Sequence, residues 1–191
     1  MGKVKNYWEN RYKIGGNSGV GSYTTFFEHK TNVINQIIEK YNINSIVDYG
    51  CGDGNQISKL NIGKYIGLDI SDTAVNLCKT TYINDETKSF LVYSENKVYG
   101  NEQLSDMSMS LDVIYHIFED DLYKNYMDNL FNTGEKYVLI YSTNHVYPFN
   151  GTHTKGRCIT EYIEVNHKDW ELIDTIEPQN HKTNFYLYKK N

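Results

Sequence analysis

The sequence is poor in proline and cysteine and has no long apolar run. Its 191 residues include 2 prolines and 3 cysteines, which are Cys51, Cys78 and Cys158. This odd, widely spaced set fits neither a disulfide framework nor a zinc knuckle, so reduced thiols are expected. No apolar run approaches the roughly 18 residues that span a membrane, and the first residues carry no signal-peptide core. We therefore expect a cytoplasmic protein without a membrane partner.

The chain also lacks an excess of basic residues. Its formal net charge is −5, whereas a nucleic-acid partner usually requires a basic face, so no nucleic-acid partner is expected. A hydrophobic content of 39% with 18 tyrosines is typical of a globular protein. The length predicts one domain over residues 1–191, with an N-terminal segment at 1–24 and a core at 25–191.

A glycine-rich turn follows the first apolar run. Residues 45–54 read S-I-V-D-Y-G-C-G-D-G, so that Asp48 precedes glycines at the alternate positions Gly50, Gly52 and Gly54. Glycine allows a sharp bend and a close approach of backbone to ligand, because it has no Cβ. The stretch therefore predicts a buried strand that leads into a ligand-binding turn.

A second apolar run ends in another acid. Asp69 closes the run Y-I-G-L-D and lies 21 residues after Asp48. A doubly wound fold places a ribose-binding carboxylate at about this spacing. Two acid-terminated strands at this distance favour a nucleotide-like ligand over a turn that serves packing alone.

Strand-like and helix-like patterns alternate along the rest of the chain. This alternation predicts an α/β fold with a single Rossmann-like, doubly wound, mainly parallel sheet, an antiparallel edge strand, and helices on both faces. We expect the ligand at the carboxyl ends of the strands. The expected helices cover 25–41, 54–60, 72–81, 119–131 and 160–166. The expected strands lie at 45–50, 64–69, 89–93, 109–115 (within 106–115), 137–142, 170–176 and 184–189.

Residues 1–24 are aromatic, basic and rich in glycine. The glycines argue against a long regular element. A simple linker rarely needs Trp8, Arg11 and several tyrosines, so we favour a lid over the active site.

The pattern D-x-G-x-G-x-G at Asp48–Gly54 departs from both common nucleotide motifs. It lacks the G-x-x-G step of dinucleotide folds and the Lys-Ser/Thr of a P-loop. It resembles motif I of class I S-adenosylmethionine-dependent methyltransferases. The resemblance implies S-adenosylmethionine as the cofactor, with Asp69 accepting both ribose hydroxyls. The other implied cofactor residues are Asp48, Gly50, Gly52, Gly54, Gln56 at the amino-acid end, Ile70 against the adenine, Leu111 and Asp112.

A second stretch narrows the resemblance. Residues 110–120 read S-L-D-V-I-Y-H-I-F-E-D, and the opening segment carries Y-W, R-Y, G-G, S-G and G-S-Y in turn. Together they resemble a small bacterial group of class I methyltransferases associated with surface carbohydrate (capsule-type) modification. The resemblance implies methyl transfer, with O-methylation favoured, in surface carbohydrate biosynthesis.

Histidines are the candidates for the general base. His116 is the first choice because an ordinary imidazole pKa near 6.5 suits proton removal at neutral pH. Tyr115 would orient the reactants, and His145 and His153 are alternatives to His116. Asp112 could orient His116 only if the stretch between them turns helical. The three histidines and Asp112 could instead bind a divalent metal ion. Their spacing matches no compact ligand motif, so we expect no metal.

Basic and aromatic residues indicate an anionic acceptor. An arginine side chain pairs well with phosphate or carboxylate, which favours a phosphorylated sugar, a polyol phosphate or a nucleotide-linked sugar bound by a monomer or homodimer. Two other functions stay open: a nicotinamide-dependent reductase and a non-catalytic S-adenosylmethionine-binding protein. The expected acceptor-binding residues are Tyr7, Arg11, Tyr12, Tyr23 and Arg157.

Overall fold

The computed structural model describes residues 2–147, 154–177 and 183–191. Seven strands form one mixed sheet in the order β3-β2-β1-β4-β5-β7-β6. The strands are β1 (Ser45–Tyr49), β2 (Lys64–Asp69), β3 (Lys88–Val92), β4 (Ser105–Leu111), β5 (Gly134–Thr143), β6 (Trp170–Ile176) and β7 (Thr183–Lys190). The helices are α1 (Gly2–Lys13), α2 (Thr25–Tyr41), α3 (Asp72–Thr81), α4 (Asp120–Thr133) and α5 (Ile159–Asn166). The predicted fold class is confirmed.

The chain divides into two compact units, Gly2–Lys97 and Val98–Asn191. In the first unit, β1 pairs parallel with β2 and β2 pairs parallel with β3. Strand β1 is buried over Ile46–Tyr49, which explains why it reads as a continuous apolar run rather than an alternating one. The register places Asp48 opposite Gly67, so the first acid of the glycine-turn motif lies inside the sheet.

Helix α2 buries a stripe of apolar residues. Val33, Ile34, Ile37 and Ile38 are all buried, as expected for an amphipathic helix whose apolar residues recur every three to four positions. Asn42 ends the helix in the left-handed region at φ 52°.

In the second unit, β4 pairs parallel with β5, and β5 and β6 each pair antiparallel with β7. The antiparallel edge expected from the two closing strands is therefore present. Met107 and Met109 of β4 and Leu139 of β5 are completely buried. Residues on the buried face of the sheet thus supply the core of this unit.

Three local expectations were wrong. Residues 2–13 form a 12-residue helix, because the glycines that argued against a regular element begin only at Gly15, after the helix has ended. Strand β4 ends at Leu111, and Ile114–His116 form a 3-10 turn instead of extended chain. The expected helix at 54–60 is reduced to a 3-10 turn over Gln56–Lys59. No helix in the described ranges is both long and apolar enough to cross a bilayer.

Candidate functional site

The glycine turn after β1 depends on left-handed backbone. Gly50, Gly52 and Gly54 have φ values of 89°, 58° and 78°, which residues with a Cβ rarely adopt. The amide N–H groups of Gly50 and Cys51 both donate to the carbonyl of Leu68, at 2.7 and 3.0 Å. The turn is therefore fastened to β2, and its alternate positions favour glycine.

Asp69, at the end of β2, holds this turn from the other side. Its Oδ2 accepts a hydrogen bond from the Gly52 N–H at 2.9 Å, and its Oδ1 accepts one from the Ser71 N–H at 2.8 Å. Burial raises the pKa of Asp69 from 3.8 to about 6, against the two backbone donors, which lower it. The second acid thus lies against the glycine turn. Ile70, next to it, is partly exposed.

Asp48 is one of the most deeply buried acids of the first unit, with 2% of its surface exposed. Its Oδ2 accepts a hydrogen bond from the Tyr65 hydroxyl at 2.6 Å, and its Oδ1 is buried without a hydrogen-bond partner. Burial raises the pKa of Asp48 to about 7, whereas the Tyr65 hydrogen bond and the positive charge of Lys30 lower it. A buried acceptor without a donor is costly unless a ligand supplies one.

Gln56 lies in the 3-10 turn after the glycines. Like Asp48, it is buried and has one oxygen without a hydrogen-bond partner. It is 6% exposed. Its Nε2 donates to the Thr31 hydroxyl at 3.1 Å and to the Phe27 carbonyl at 3.4 Å, both on α2. Its Oε1 is buried without a partner. Asp48 and Gln56 therefore offer two buried oxygens that can still accept hydrogen bonds.

The N-terminal segment binds the glycine turn through Asp53. The Ser18 N–H donates to Asp53 Oδ2 at 2.9 Å, and the Asp53 N–H donates to Ser18 Oγ at 3.0 Å. The Tyr23 hydroxyl donates to the same Oδ2 at 2.8 Å. This reciprocal pair fixes the loop after α1 to Asp53 of the D-Y-G-C-G-D-G stretch.

Tyr12 and Ser18 also approach Gly52 closely. Their hydroxyls lie 3.1 Å apart, and a Cβ at Gly52 would collide with the Ser18 hydroxyl. Tyr12 is buried, whereas Tyr7 is 40% exposed. Arg11 donates from Nε to the Asn17 carbonyl at 2.6 Å, and thus holds its own segment.

Glu9 of α1 closes the N-terminal end of α3. Its carboxylate accepts hydrogen bonds from the hydroxyls of Ser71 and Thr73, at 2.6 and 2.7 Å, and from the Thr73 N–H at 3.2 Å. The Ser71 hydrogen bond is the largest cause that lowers the pKa of Glu9 to about 2. A carboxylate at a helix N-terminus also interacts favourably with the helix dipole. Helix α1 is therefore anchored independently of Asp53.

In the second unit, Asp112 follows β4 with a φ of 61°, a conformation that costs free energy in a residue with a Cβ and often marks functional sites. Its Oδ1 accepts a hydrogen bond from the Tyr115 hydroxyl at 2.8 Å, and burial raises the pKa of that tyrosine. The Tyr115 ring meets the buried His116 edge-on, with centroids 4.6 Å apart. Leu111, the last residue of β4, is buried.

The guanidinium of Arg157 bonds to the turn that precedes α4. It donates to the carbonyls of Ile117 and Phe118, at 2.5 and 3.0 Å, and to Asp120 Oδ1 at 2.8 Å. It also lies 4.3 Å from the ring centroid of Tyr123. These contacts give Arg157 a structural role, and its expected role in acceptor binding stays a prediction.

The two other histidine candidates are His145 and His153. His145 is exposed and lies near Tyr147, with ring centroids 5.1 Å apart. His153 falls outside the described residues. Within the ranges 2–147, 154–177 and 183–191, no group of three or more metal-binding side chains was found.

Sequence reasoning missed four residues of the first unit. Ser18 and Asp53 lie within recognised glycine-rich stretches, but nothing in either stretch indicates that they pair. Glu9 reads as a surface acid of an aromatic segment. Lys30, on α2, is 1% exposed, although lysine is almost never fully buried unless it is paired.

No protein-family model matches the sequence, and no curated protein matches it. Several solved structures match over nearly their whole length. Magnesium protoporphyrin IX methyltransferase from Synechocystis PCC 6803, with bound S-adenosylhomocysteine, has a TM-score of 0.75 at 14% identity and covers 100% of this chain and 99% of its own. N-methyltransferase NodS from Bradyrhizobium japonicum WM9 has a TM-score of 0.76 at 11% identity over 98% of each chain. An S-adenosylmethionine-dependent methyltransferase from Clostridium acetobutylicum ATCC 824 has a TM-score of 0.68 at 10% identity, over 100% of this chain and 98% of its own.

The chain has the Rossmann-like methyltransferase fold. At these identities the likeness establishes the fold alone, and the chemistry must be argued from the residues of this chain.

Proposed function

We propose that this protein is an S-adenosylmethionine-dependent methyltransferase that acts on a small, polar, anionic acceptor. The observation that carries the proposal is the glycine turn, whose Gly52 N–H bonds to Asp69 at 2.9 Å. A dinucleotide-binding turn would present its amides and a helix N-terminus to a pyrophosphate. Here the turn is followed by a short 3-10 helix and accompanied by buried acids, which suits a ligand that carries an ammonium and a ribose.

The residues of the first unit fit such a cofactor. An ammonium group has three N–H donors and no acceptor, and Asp48 Oδ1 and Gln56 Oε1 are buried oxygens without a donor. Asp69 has further lone pairs for two ribose hydroxyls besides its two backbone bonds. When bound, the cofactor supplies a methyl group on a sulfonium. The chain binds and orients it through these residues.

The N-terminal segment contributes by excluding water. Ser18 and Tyr23 fasten it to Asp53, and Glu9 fastens it to the start of α3. We propose that it acts as the lid expected from residues 1–24, because its hydroxyls lie directly against Gly52. A covered site keeps reactants in position and strengthens the electrostatic interactions inside it.

The acceptor chemistry is assigned to the residues after β4. His116 is the proposed base, because imidazole accepts a proton at neutral pH, and the Tyr115 hydroxyl, held by Asp112, orients the acceptor. O-methylation of a sugar, polyol phosphate or nucleotide-linked sugar in surface carbohydrate biosynthesis is proposed from the resemblance of residues 110–120. Deprotonation of a hydroxyl by a positioned base typically contributes 10²–10⁴-fold to rate.

Calorimetric titration with S-adenosylhomocysteine tests the cofactor assignment. We expect stoichiometric, micromolar binding, with NADH as a control that does not bind. Binding of NADH instead would indicate a nicotinamide-dependent reductase. Binding of S-adenosylhomocysteine without methyl transfer to any phosphorylated sugar or polyol would favour a non-catalytic binding protein.

Replacement of the proposed base tests the catalytic assignment. His116→Ala is expected to lower turnover at least about 100-fold and to leave S-adenosylhomocysteine binding unchanged. His145→Ala, at an exposed histidine, is the matched control. Full turnover by His116→Ala, with loss of turnover in His145→Ala, would transfer the role to His145.

A further inference from the structure

The proposed base His116 lies at the end of a very short helical turn. Ile114–His116 form a single 3-10 turn, and α4 begins only at Asp120. The last carbonyls of a helix have no partner within it, so they must be bound from elsewhere in the fold. A side chain on such a turn keeps one orientation only if those outside bonds hold the backbone around it.

Lys155 binds this stretch through both its backbone and its side chain. Its N–H donates to the Tyr115 carbonyl at 2.8 Å. Its Nζ donates to the Phe118 carbonyl at 3.0 Å and to Asp120 Oδ1 at 2.9 Å. One lysine thus holds the residue before His116 and the second residue after it.

Arg157 binds the same stretch with two nitrogens of its guanidinium. Nη1 donates to the Ile117 carbonyl and Nη2 to the Phe118 carbonyl, so the two residues that follow His116 are both bound. The side chain is 13% exposed and packs over the Tyr123 ring. A planar guanidinium with fixed donors sets the direction of both carbonyls, which the single ammonium of a lysine does not.

The backbone that carries these two cations is fixed at Gly156. The Gly156 N–H donates to the Tyr147 carbonyl at 3.1 Å, in an isolated antiparallel bridge. A Cβ at Gly156 would collide with the Tyr147 ring and with the His145 carbonyl. Lys155 and Arg157 therefore present their donors from a closely packed stretch of chain.

We propose that Arg157 and Lys155 are positioning residues for His116, because they hold the carbonyls on both sides of it and so keep its imidazole in one orientation. This inference rests on the proposed function, in which His116 is the base. A displacement of about 1 Å from productive geometry can cost about 100-fold in rate. Arg157 would accordingly affect turnover through the turn, and not the affinity for the acceptor.

The first test observes the His116 imidazole by NMR, without any acceptor. Its cross-peak is assigned by its loss in His116→Ala, and Lys136→Met, at an exposed ion pair on β5, is the control. We expect the cross-peak to shift or broaden beyond its line width in Arg157→Met, less so in Arg157→Lys, and to stay in place in Lys136→Met. Folded molecules give their own signals, so lower stability alone does not move the cross-peak. An unmoved cross-peak in Arg157→Met would overturn the inference.

Kinetics separates this inference from the proposed function. With S-adenosylmethionine and a phosphorylated sugar as acceptor, Arg157→Met should lower kcat about 10- to 100-fold and leave KM for the sugar unchanged. In the His116→Ala background the same change should cost less than about twofold, because a residue that acts through His116 has no effect without it.

Two kinetic outcomes would contradict the inference alone: an equal loss of kcat in both backgrounds, or a raised KM at unchanged kcat. Failure of the unaltered protein to bind S-adenosylhomocysteine or to methylate the sugar would overturn the proposed function, and the inference with it. Should Arg157→Met fold poorly, Arg157→Lys and Lys155→Met take its place in both experiments, with the same direction of effect expected.

Discussion

The two compact units differ in how their candidate residues are bonded. In Gly2–Lys97, the predicted cofactor residues leave buried acceptors without partners, at Asp48 Oδ1 and Gln56 Oε1. In Val98–Asn191, the candidate residues bond to their own unit: Tyr115 to Asp112, and Arg157 to the turn before α4. Two candidate residues of the first unit therefore keep buried oxygens that a ligand could engage, whereas the described bonds of the second-unit candidates lie within the fold.

The largest expected effect tests whether the candidate residues of the first unit bind a ligand. Asp69→Ala removes the acceptor for the Gly52 and Ser71 amides and the proposed acceptor for the ribose hydroxyls. Loss of two charge-assisted hydrogen bonds predicts at least about 100-fold weaker binding of S-adenosylhomocysteine in a calorimetric titration. Asp72→Ala, three residues along at an exposed position, is the control. Unchanged affinity in Asp69→Ala would remove the ribose assignment.

The next effect tests whether Arg157 in the second unit serves the fold. Arg157→Met leaves the Ile117 and Phe118 carbonyls without this donor, which predicts a loss of about 1–3 kcal/mol in the free energy of unfolding. Urea unfolding measures it, with Lys124→Met as a control at an exposed i,i+4 ion pair, where little change in stability is expected. Undiminished stability, combined with a raised KM for the acceptor, would instead make Arg157 a binding residue.

Sequence reasoning predicts local features of the chain but not the pairs between distant segments. The glycine turn and Asp69 were recognised because a turn after a strand, and the next strand's end, are placed by local backbone rules. Ser18 pairs with Asp53 across 35 positions, Glu9 with Ser71 across 62, and Arg157 with Ile117 across 40. No local pattern encodes such pairs, since they depend on how distant segments pack.

Asp112 shows the limit at the level of a single residue. The sequence predicts it to continue a strand, but the backbone turns there into the left-handed region at φ 61°. Aspartate adopts this region more readily than most residues, because its short polar side chain forms local hydrogen bonds, and its contact with Tyr115 is one of these. Periodicity alone does not reveal such a turn, so the fold could be predicted from the sequence, whereas this local bonding could not.

The pH dependence of stability and of ligand affinity tests the role of Asp48 in the first unit. Its pKa is raised from 3.8 to about 7 by burial, so the folded protein retains a proton that the unfolded chain loses. Its contribution to stability is therefore complete below about pH 4 and is lost as the pH rises to about 7 in the ligand-free protein. Ligand affinity should change in the opposite direction, because only the carboxylate form attracts an ammonium.

We accordingly expect S-adenosylhomocysteine to bind about tenfold more weakly at pH 6 than at pH 8. Calorimetry in buffers of different ionisation enthalpy should detect a proton released on binding near pH 6. Asp48→Asn, which is nearly isosteric, should flatten the profile and abolish that part of the proton release that comes from this site. A constant dissociation constant between pH 6 and pH 8 in the unaltered protein would show that Asp48 does not meet the ligand's charge.

The smallest effect concerns the N-terminal segment, the part of the first unit that bonds to the glycine turn without being part of it. Ser18→Ala removes the hydroxyl that accepts from the Asp53 N–H and contacts Tyr12. Loss of about 1 kcal/mol of hydrogen bonding predicts roughly fivefold faster dissociation of S-adenosylhomocysteine, followed by stopped-flow tryptophan fluorescence. Ser22→Ala, in the same segment, leaves the backbone carbonyl that binds Asn55 in place and is the control. Equal dissociation rates in all three proteins would mean that the segment stabilises the turn without closing over the ligand.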